Sequence, residues 1–365
     1  MRLIIKVAHI TQDMGMGGQE KVIYNLSVAA GPAVQPRVWC LCAGGVMAGE
    51  LERAGVGVEI LGMGSRITAS FVASLRRKII SEDIDVVHAH GMTARSAAGA
   101  AAALAGRRVS IAHHHTTLSG LSPKQKLLDR ILAGATGAVI CCSEAVRRSV
   151  EAEESFLYPK TAVIYNGAPP AKPADREQSR RALGIPPGAG AVCCVASFHP
   201  HKGVEFLIRA AAKLETEAYI ILAGGGPLEG SLKKLAGSLG IAHRVIFAGV
   251  AADLSPVFSA ADAAVSPSSE REGLSLSLVE AMSAGKPLIG TRLGGTPEVV
   301  ADGENGLLVP PADAPALARA IDRLISGGAL REKMAARGLE IYRRKFTLEK
   351  MRDEVEKVYG KLLLR

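Results

Sequence analysis

Aromatic residues are scarce in this 365-residue chain, 4% of the total with a single tryptophan. Few flat side chains are therefore on hand to stack unpaired bases, and neither helix-turn-helix nor zinc-finger spacing occurs, so nucleic acid is not an expected partner. No apolar run is long enough for a membrane-spanning helix, and MRLIIKVAHI is too soon followed by polar residues to serve as a signal peptide. Any membrane association is then expected to be peripheral. The six cysteines (Cys40, Cys42, Cys141, Cys142, Cys193 and Cys194) form no C-x-x-C pair, and adjacent cysteines do not readily bridge each other. They read as reduced core thiols of a cytoplasmic protein.

Lysine and arginine total 44 against 35 aspartates and glutamates, a net charge of +9 spread over both halves. Such a balance suits acidic ligands or an anionic surface. The length argues for two domains, each able to bury a core. Short apolar runs at 2–9, 37–42, 57–61, 84–88, 108–113, 137–142 and 161–165 alternate with helical patterns at 19–30, 46–54, 69–81, 92–106, 123–134 and 144–150. This is the βαβ rhythm of a doubly wound parallel sheet. The proline-rich stretch 166–178 interrupts it, and a second series follows, with strands at 190–196, 218–223, 244–248, 262–266, 287–290 and 306–309. The expected domains are 1–168 and 169–345, and residues 346–365 form an amphipathic helix returning to the first domain. Two Rossmann-like domains would then face each other across a cleft, with ligands at the carboxyl ends of the strands.

The most informative stretch is PSSEREGLSLSLVEAMSAGKPLIGTRLGG, Pro267 to Gly295. Glu272 and Glu280 stand eight residues apart, about 12 Å along an ideal helix at roughly 1.5 Å per residue. Between them a helix start offers free N–H groups to a phosphate. The pattern suits a sugar nucleotide, with hexose hydroxyls on Glu272, diphosphate on the helix start and ribose on Glu280. Lys202, in SFHPHKG, stands at another predicted helix start, where a cation is disfavoured unless an anion occupies the site. There it can stabilise a departing diphosphate. Gly15, Gly17 and Gly18 form a Gly-rich turn after the first strand, open equally to a plain turn and a binding turn, since the full G-x-G-x-x-G spacing is missing. His88, His90, His113, His114 and His115 end two predicted strands. No carboxylate or cysteine joins them at ligand spacing, so no metal is expected; they read as groups that bind a sugar hydroxyl, or as structural residues.

With these residues in place, the chain resembles glycosyltransferase family 4, the retaining enzymes of GT-B fold. GGQEKVIYNLS, VVHAHG, CCSEAVRR and VIYNGAP carry the likeness in the first half, and HKGVEFLIRAAAKL, LAGGGPLEGSLKKLAGSLGI, EGLSLSLVEAMSAGKPLIGT and GGTPEVVADGENGLLVPPAD in the second. The resemblance implies a nucleoside diphosphate sugar donor held in the C-terminal domain, a saccharide or lipid-linked acceptor mainly on the N-terminal one, and no cofactor. It makes Glu272 and Glu280 the grip on donor sugar and ribose, and puts the backbone of Gly273, Leu274 and Ser275 on the diphosphate. His114 would orient the sugar as a catalytic residue together with Lys202 and Glu272, and Gly17, Gly18 and Ser197 would line the donor. In the family, an arginine usually stands where this chain has Ser197, and Phe-Gly is commoner than Leu274-Ser275. A bidentate phosphate donor is thereby lost, to which His199 or His201 could respond. A sugar-nucleotide epimerase and a non-catalytic nucleotide-binding protein are the rival readings. Basic residues Arg76, Arg77, Lys78, Arg107, Arg108, Lys124, Lys126 and Arg130 are the expected contacts with anionic lipid on the inner face of the membrane.

Overall fold

A computed structural model describes residues 4–106 and 109–364. The first two residues of the strand expected at 2–9, and Arg107 and Arg108 of the basic set, lie outside the described residues. The chain divides into two compact units, Met1–Gly167 with Leu348–Arg365, and Ala168–Thr347.

Among the described residues, unit 1 carries seven strands: β1 Ile5–Thr11, β2 Val34–Cys40, β3 Gly57–Ile60, β4 Val86–His90, β5 Val109–His114, β6 Thr136–Cys141 and β7 Thr161–Val163. They pair in parallel in the order β3-β2-β1-β4-β5-β6-β7. Both faces of a parallel sheet must be covered, and the sequence supplies a different cover for each. Ala94, Ala97, Ala98 and Ala101, spaced at helical period along Met92–Ala105, let that helix lie close against Ala8, Ile10, Val87 and Ala89. Trp39, 1% exposed, fills the same side. On the other face, Met14, Ile23, Val38, Met47 and Leu51 form a second cluster. The terminal helix Leu348–Leu363 belongs to this unit and buries Met351, Val355 and Tyr359, four residues apart. The Tyr359 hydroxyl lies 2.7 Å from His88 Nδ1.

Unit 2 repeats the scheme among its described residues with β8 Gly190–Val195, β9 Ala218–Ala223, β10 Val245–Gly249, β11 Ala263–Ser266, β12 Leu288–Thr291 and β13 Gly306–Val309. The order is β10-β9-β8-β11-β12-β13, again parallel. Val192, Cys194, Ile220 and Leu222 meet Leu207, Ile208, Ile321 and Leu324 in its core. In each unit the strand order reverses once, between β1 and β4 and between β8 and β11, the switch point beyond whose strand ends sheets of this kind bind ligands.

Two helices escaped the sequence pattern, Arg176–Ala182 and Gly328–Lys345. The strand expected at 84–88 begins two residues later, so Asp85 stays outside it, accepting a hydrogen bond from the Lys6 backbone N–H, and His90 becomes its last residue. The thiols also need one correction. Burial pushes Cys40, Cys141, Cys193 and Cys194 up to about 12, keeping them protonated and inert, but β2 stops at Cys40 and Cys42 is exposed.

Unit 1 also buries charge. Arg95 donates to both carboxylate oxygens of Glu154 (2.7 and 2.8 Å), to Asp129 (2.5 Å) and to His114 Nε2 (3.1 Å). Burial raises the pKa of Glu154 while Arg95 opposes the rise. Replacing Arg95 by leucine strands two carboxylates in the interior and should cost unit 1 about 3–5 kcal/mol. Trp39 is the chain's single tryptophan and sits in unit 1, so its fluorescence in urea reads this loss directly. Adding Glu154→Gln and Asp129→Asn should recover much of the loss, and an unshifted midpoint for Arg95→Leu would show that the cluster contributes nothing.

Candidate functional site

At the switch point of unit 2, the loop after β8 meets the loop after β11. The first runs through a 3₁₀ turn, Pro200–Lys202, and enters the helix Val204–Ala211 at Gly203, whose φ is +63°. A side chain there would be strained, and its Cβ would lie 2.2 Å from the Pro267 carbonyl oxygen. Glycine thus lets the two loops touch through their main chains. Ser269 N–H donates to the His201 carbonyl at 3.0 Å, and Ser269 Oγ to the Pro200 carbonyl at 3.3 Å.

The contact aligns the key side chains. Lys202 Nζ donates to Glu272 Oε2 at 2.9 Å, and Ser268 Oγ donates to the same oxygen at 2.6 Å. Ser268 is in turn fixed by Thr291 Oγ1 on its carbonyl, 2.7 Å away. Glu272 is 5% exposed, and its own carbonyl accepts from Gly295 N–H at 3.2 Å. Gly294, at φ +52°, passes so close that a Cβ would meet that carbonyl at 1.8 Å. Glu272 is therefore held at the side chain by two loops and at the main chain by a third.

Directly beyond lie Gly273, Leu274 and Ser275, all buried, and then the helix Leu276–Ser283. Ser275 is its N-cap residue but makes no capping bond; its hydroxyl turns instead to Ser266 Oγ, 3.2 Å away. The first N–H groups of this helix are thus not taken by the cap residue, the property that draws phosphate. Glu280, half-buried, lies in the same helix. Lys202, Glu272, Gly273, Leu274, Ser275 and Glu280 are all brought to this one region of unit 2, and Ser197 stands half-buried on the loop that carries Lys202.

Of the two histidines beside Ser197, His199 is exposed and His201 half-buried, with rings 5.9 Å apart. Burial lowers the pKa of His201 and the Lys202 charge lowers it further, against an opposing pull from Glu272. His201 is accordingly held neutral and does not replace an arginine's permanent charge. Sequence reasoning missed Arg271, which adds to the positive field on His201 and adopts a φ of +24° that only glycine takes freely. It also missed Ser268, four residues before Glu272 in the same loop, and Thr291, which reaches Ser268 from the end of β12.

The remaining expected residues lie in unit 1. Gly17 is the N-cap of the helix Gly18–Val28, and the Glu20 carboxylate folds back against it, to within 2.2 Å of where a Gly17 Cβ would stand. Burial raises the pKa of Glu20, and its own backbone N–H lowers it. This turn is closed by a carboxylate of its own helix. His114, 4% exposed, presents Nε2 to the Arg95 guanidinium, which can only donate; the ring therefore carries its proton on Nδ1. His88, His90 and His113 are also buried, and His115 is half-buried.

A fold of two parallel-sheet Rossmann-like units, the second with a lysine–glutamate pair before an uncapped helix start, defines the GT-B class. Residues 16–172 match the family described as Glycosyltransferase Family 4, and residues 175–340 match Glycosyl transferases group 1. The chain belongs to the family 4 glycosyltransferases. It is 37% identical over 174 residues to the lipopolysaccharide core biosynthesis glycosyltransferase LpsE of Rhizobium meliloti, covering 48% of this chain and 51% of LpsE. It is 34% identical over 216 residues to the D-inositol 3-phosphate glycosyltransferase of Corynebacterium diphtheriae, covering 54% and 50%. The matched stretch thus spans about half the length of each of these curated relatives. Among solved structures, Anabaena HepE in complex with UDP superposes with a TM-score of 0.87 at 24% identity, covering 98% of this chain and 100% of HepE.

The Lys202–Glu272 pair has an energetic signature. Lys202 keeps 27% of its side chain exposed, so the coupling should fall below that of a fully buried pair, at about 1–2 kcal/mol. A double-mutant cycle of Lys202→Met and Glu272→Gln, followed by calorimetric unfolding, measures it. Additive single effects would mean that the two groups do not interact.

Proposed function

We propose that this protein transfers a hexose from a nucleoside diphosphate sugar to a saccharide or lipid-linked saccharide, with retention of anomeric configuration, in the synthesis of a cell-surface polysaccharide or glycolipid. The observation that carries this reading is the ion pair Lys202–Glu272 beside the helix start at Leu276. A diphosphate on the helix N–H groups would draw Lys202 towards itself. That leaves the Glu272 carboxylate, still held by Ser268, to accept hydrogen bonds from the sugar hydroxyls. As the glycosidic bond to the diphosphate breaks, negative charge grows on the leaving oxygen, and Lys202 and the helix start stabilise it more than they stabilise the ground state. Glu280 would take the ribose. Acceptor recognition is assigned to unit 1; His114, whose Nε2 is taken by Arg95, would orient the donor sugar through its Nδ1–H, and no cofactor or metal enters the transfer. The relative LpsE is named for lipopolysaccharide core synthesis, and HepE is described with UDP, which makes uridine diphosphate the first nucleotide to test.

The test is turnover of UDP-hexose with an acceptor panel, donor hydrolysis being measured alongside. Glu272→Ala and Lys202→Ala should each lower transfer by at least about a hundredfold, the scale of losing one stabilising donor. Undiminished turnover in both would overturn the assignment. Ser197 supports a second reading, a nucleotide-binding protein without turnover, because His201 does not supply the missing charge. Ser197→Arg separates the two: it should raise turnover if catalysis is merely weakened, and leave it at zero if the chain only binds.

The acceptor's lipid would explain one exposed surface of unit 1. The helix Pro123–Leu132 turns Leu127 (60% exposed) and Ile131 (68%) outwards, with Leu128 beside them and Lys124 and Arg130 on the same short helix. Apolar side chains flanked by cations suit shallow insertion into an anionic leaflet, and no described helix is long and apolar enough to cross it. Sedimentation with phosphatidylglycerol vesicles should decline with salt and with Leu127→Asp/Ile131→Asp. Equal binding to neutral vesicles would count against peripheral docking.

A further inference from the structure

Five imidazoles of unit 1 occupy one face of its sheet at the strand-order reversal. The register sets His9 of β1 beside His88 of β4, and His90 beside His113 of β5. His115, just past the end of β5, lies against His113 and His90, while alternation within the strand sends His114 to Arg95 on the other face. The rings touch, with His113 and His115 centroids 4.1 Å apart and those of His88 and His90 4.3 Å apart.

Their hydrogen bonds form a directed pattern. His9 Nδ1 lies 3.0 Å from His90 Nε2, and His90 Nδ1 lies 3.0 Å from His115 Nε2. His88 Nε2 lies 3.2 Å from His113 Nδ1, while His88 Nδ1 is held by Tyr359. Two ring nitrogens remain buried without a partner, His113 Nε2 and His115 Nδ1. Both belong to a trio, His90, His113 and His115, whose members each offer one nitrogen within 4.8 Å of the others. An unpartnered nitrogen on a ring that is 2% exposed, as His113 is, costs free energy unless something meets it.

We propose that His90, His113 and His115 bind a divalent transition metal ion of the zinc class. The donor set fits: three neutral imidazoles, with a water on the fourth position, are a recurrent zinc arrangement. Of the three, His90 and His113 are the fully buried ligands. Each of those two ligands is also oriented from behind. His9 holds the far nitrogen of His90, and His88, itself fixed by Tyr359, holds His113 Nδ1 and leaves Nε2 to the ion. Outer partners of this kind fix the tautomer and raise ligand basicity. The ion would replace the His90–His115 hydrogen bond, which requires those rings to part by a few tenths of an ångström to reach the separation a tetrahedral site needs at about 2.0–2.1 Å per bond. His115, half-buried, provides the way in. The ion would tie the ends of β4 and β5 together, a role separate from sugar transfer.

The full-length chain, stripped with chelator, is titrated with Co²⁺ and separately with Zn²⁺, binding being followed by cobalt d–d absorption and by equilibrium dialysis with elemental analysis. One ion per chain is expected, with four-coordinate cobalt intensity and a thermal midpoint for the Trp39 signal that rises with free metal. His115→Asn, the mildest change because the ring is half-buried, should abolish stoichiometric binding, and Tyr359→Phe should weaken it by about 10–100-fold through His88. His199→Gln/His201→Gln, which removes the pair in unit 2, should leave it intact. Absence of stoichiometric binding in the folded wild-type chain overturns the proposal, as does binding that survives His115→Asn or disappears with the unit 2 pair.

Discussion

Glu272 is anchored from both ends, by Gly295 on its carbonyl and by Ser268 and Lys202 on its carboxylate, and each anchor arrives on a different loop. What makes this possible is contact between main chains. Gly203 rests on Pro267, and Gly294 rests on Glu272, at distances no side chain would permit. The loops after β8, β11 and β12 therefore pack main chain against main chain, which brings the charges they carry together. A preorganised site of this type spends its folding energy in advance.

Electrostatics of the two units differ in kind. Unit 2 keeps its lysine–glutamate pair partly in reach of water, where an incoming anion can compete for the lysine. In unit 1 the Arg95 guanidinium is buried and already answered by two carboxylates. The first arrangement exchanges partners at modest cost; the second resists exchange.

Legibility of the fold in the sequence follows the strength of each local signal. Strands at 218–223 and 306–309 and the helix at 69–81 were readable to the residue because apolar periodicity and turn residues agree there. The helix Gly328–Lys345 was not: a Gly-Gly pair opens it and its face is largely polar, so it looks like a loop until Met334, Ile341 and Tyr342 are seen buried. Arg176–Ala182 hid behind three nearby prolines and declared itself only through the Asp175 cap. In the site, Lys202, Glu272 and Glu280 stood out as residue types in a spacing. Ser268, Thr291 and Gly294 did not, because what they do depends on which loops meet. His9 was likewise invisible, since only strand register brings β1 beside β4.

The chain leaves unit 1 at Gly167 and returns to it at Leu348, so unit 2 is a continuous segment set inside a discontinuous one. During synthesis the inner unit can close as soon as residues 168–347 have emerged. The outer one must wait, its sheet already made but Tyr359 and the apolar stripe of Leu348–Leu363 not yet delivered. Until then His88 lacks its hydroxyl partner, and part of the sheet face lacks its cover. A nascent chain of this design exposes an unfinished surface throughout the making of its second half, and that interval is when it would depend most on a chaperone.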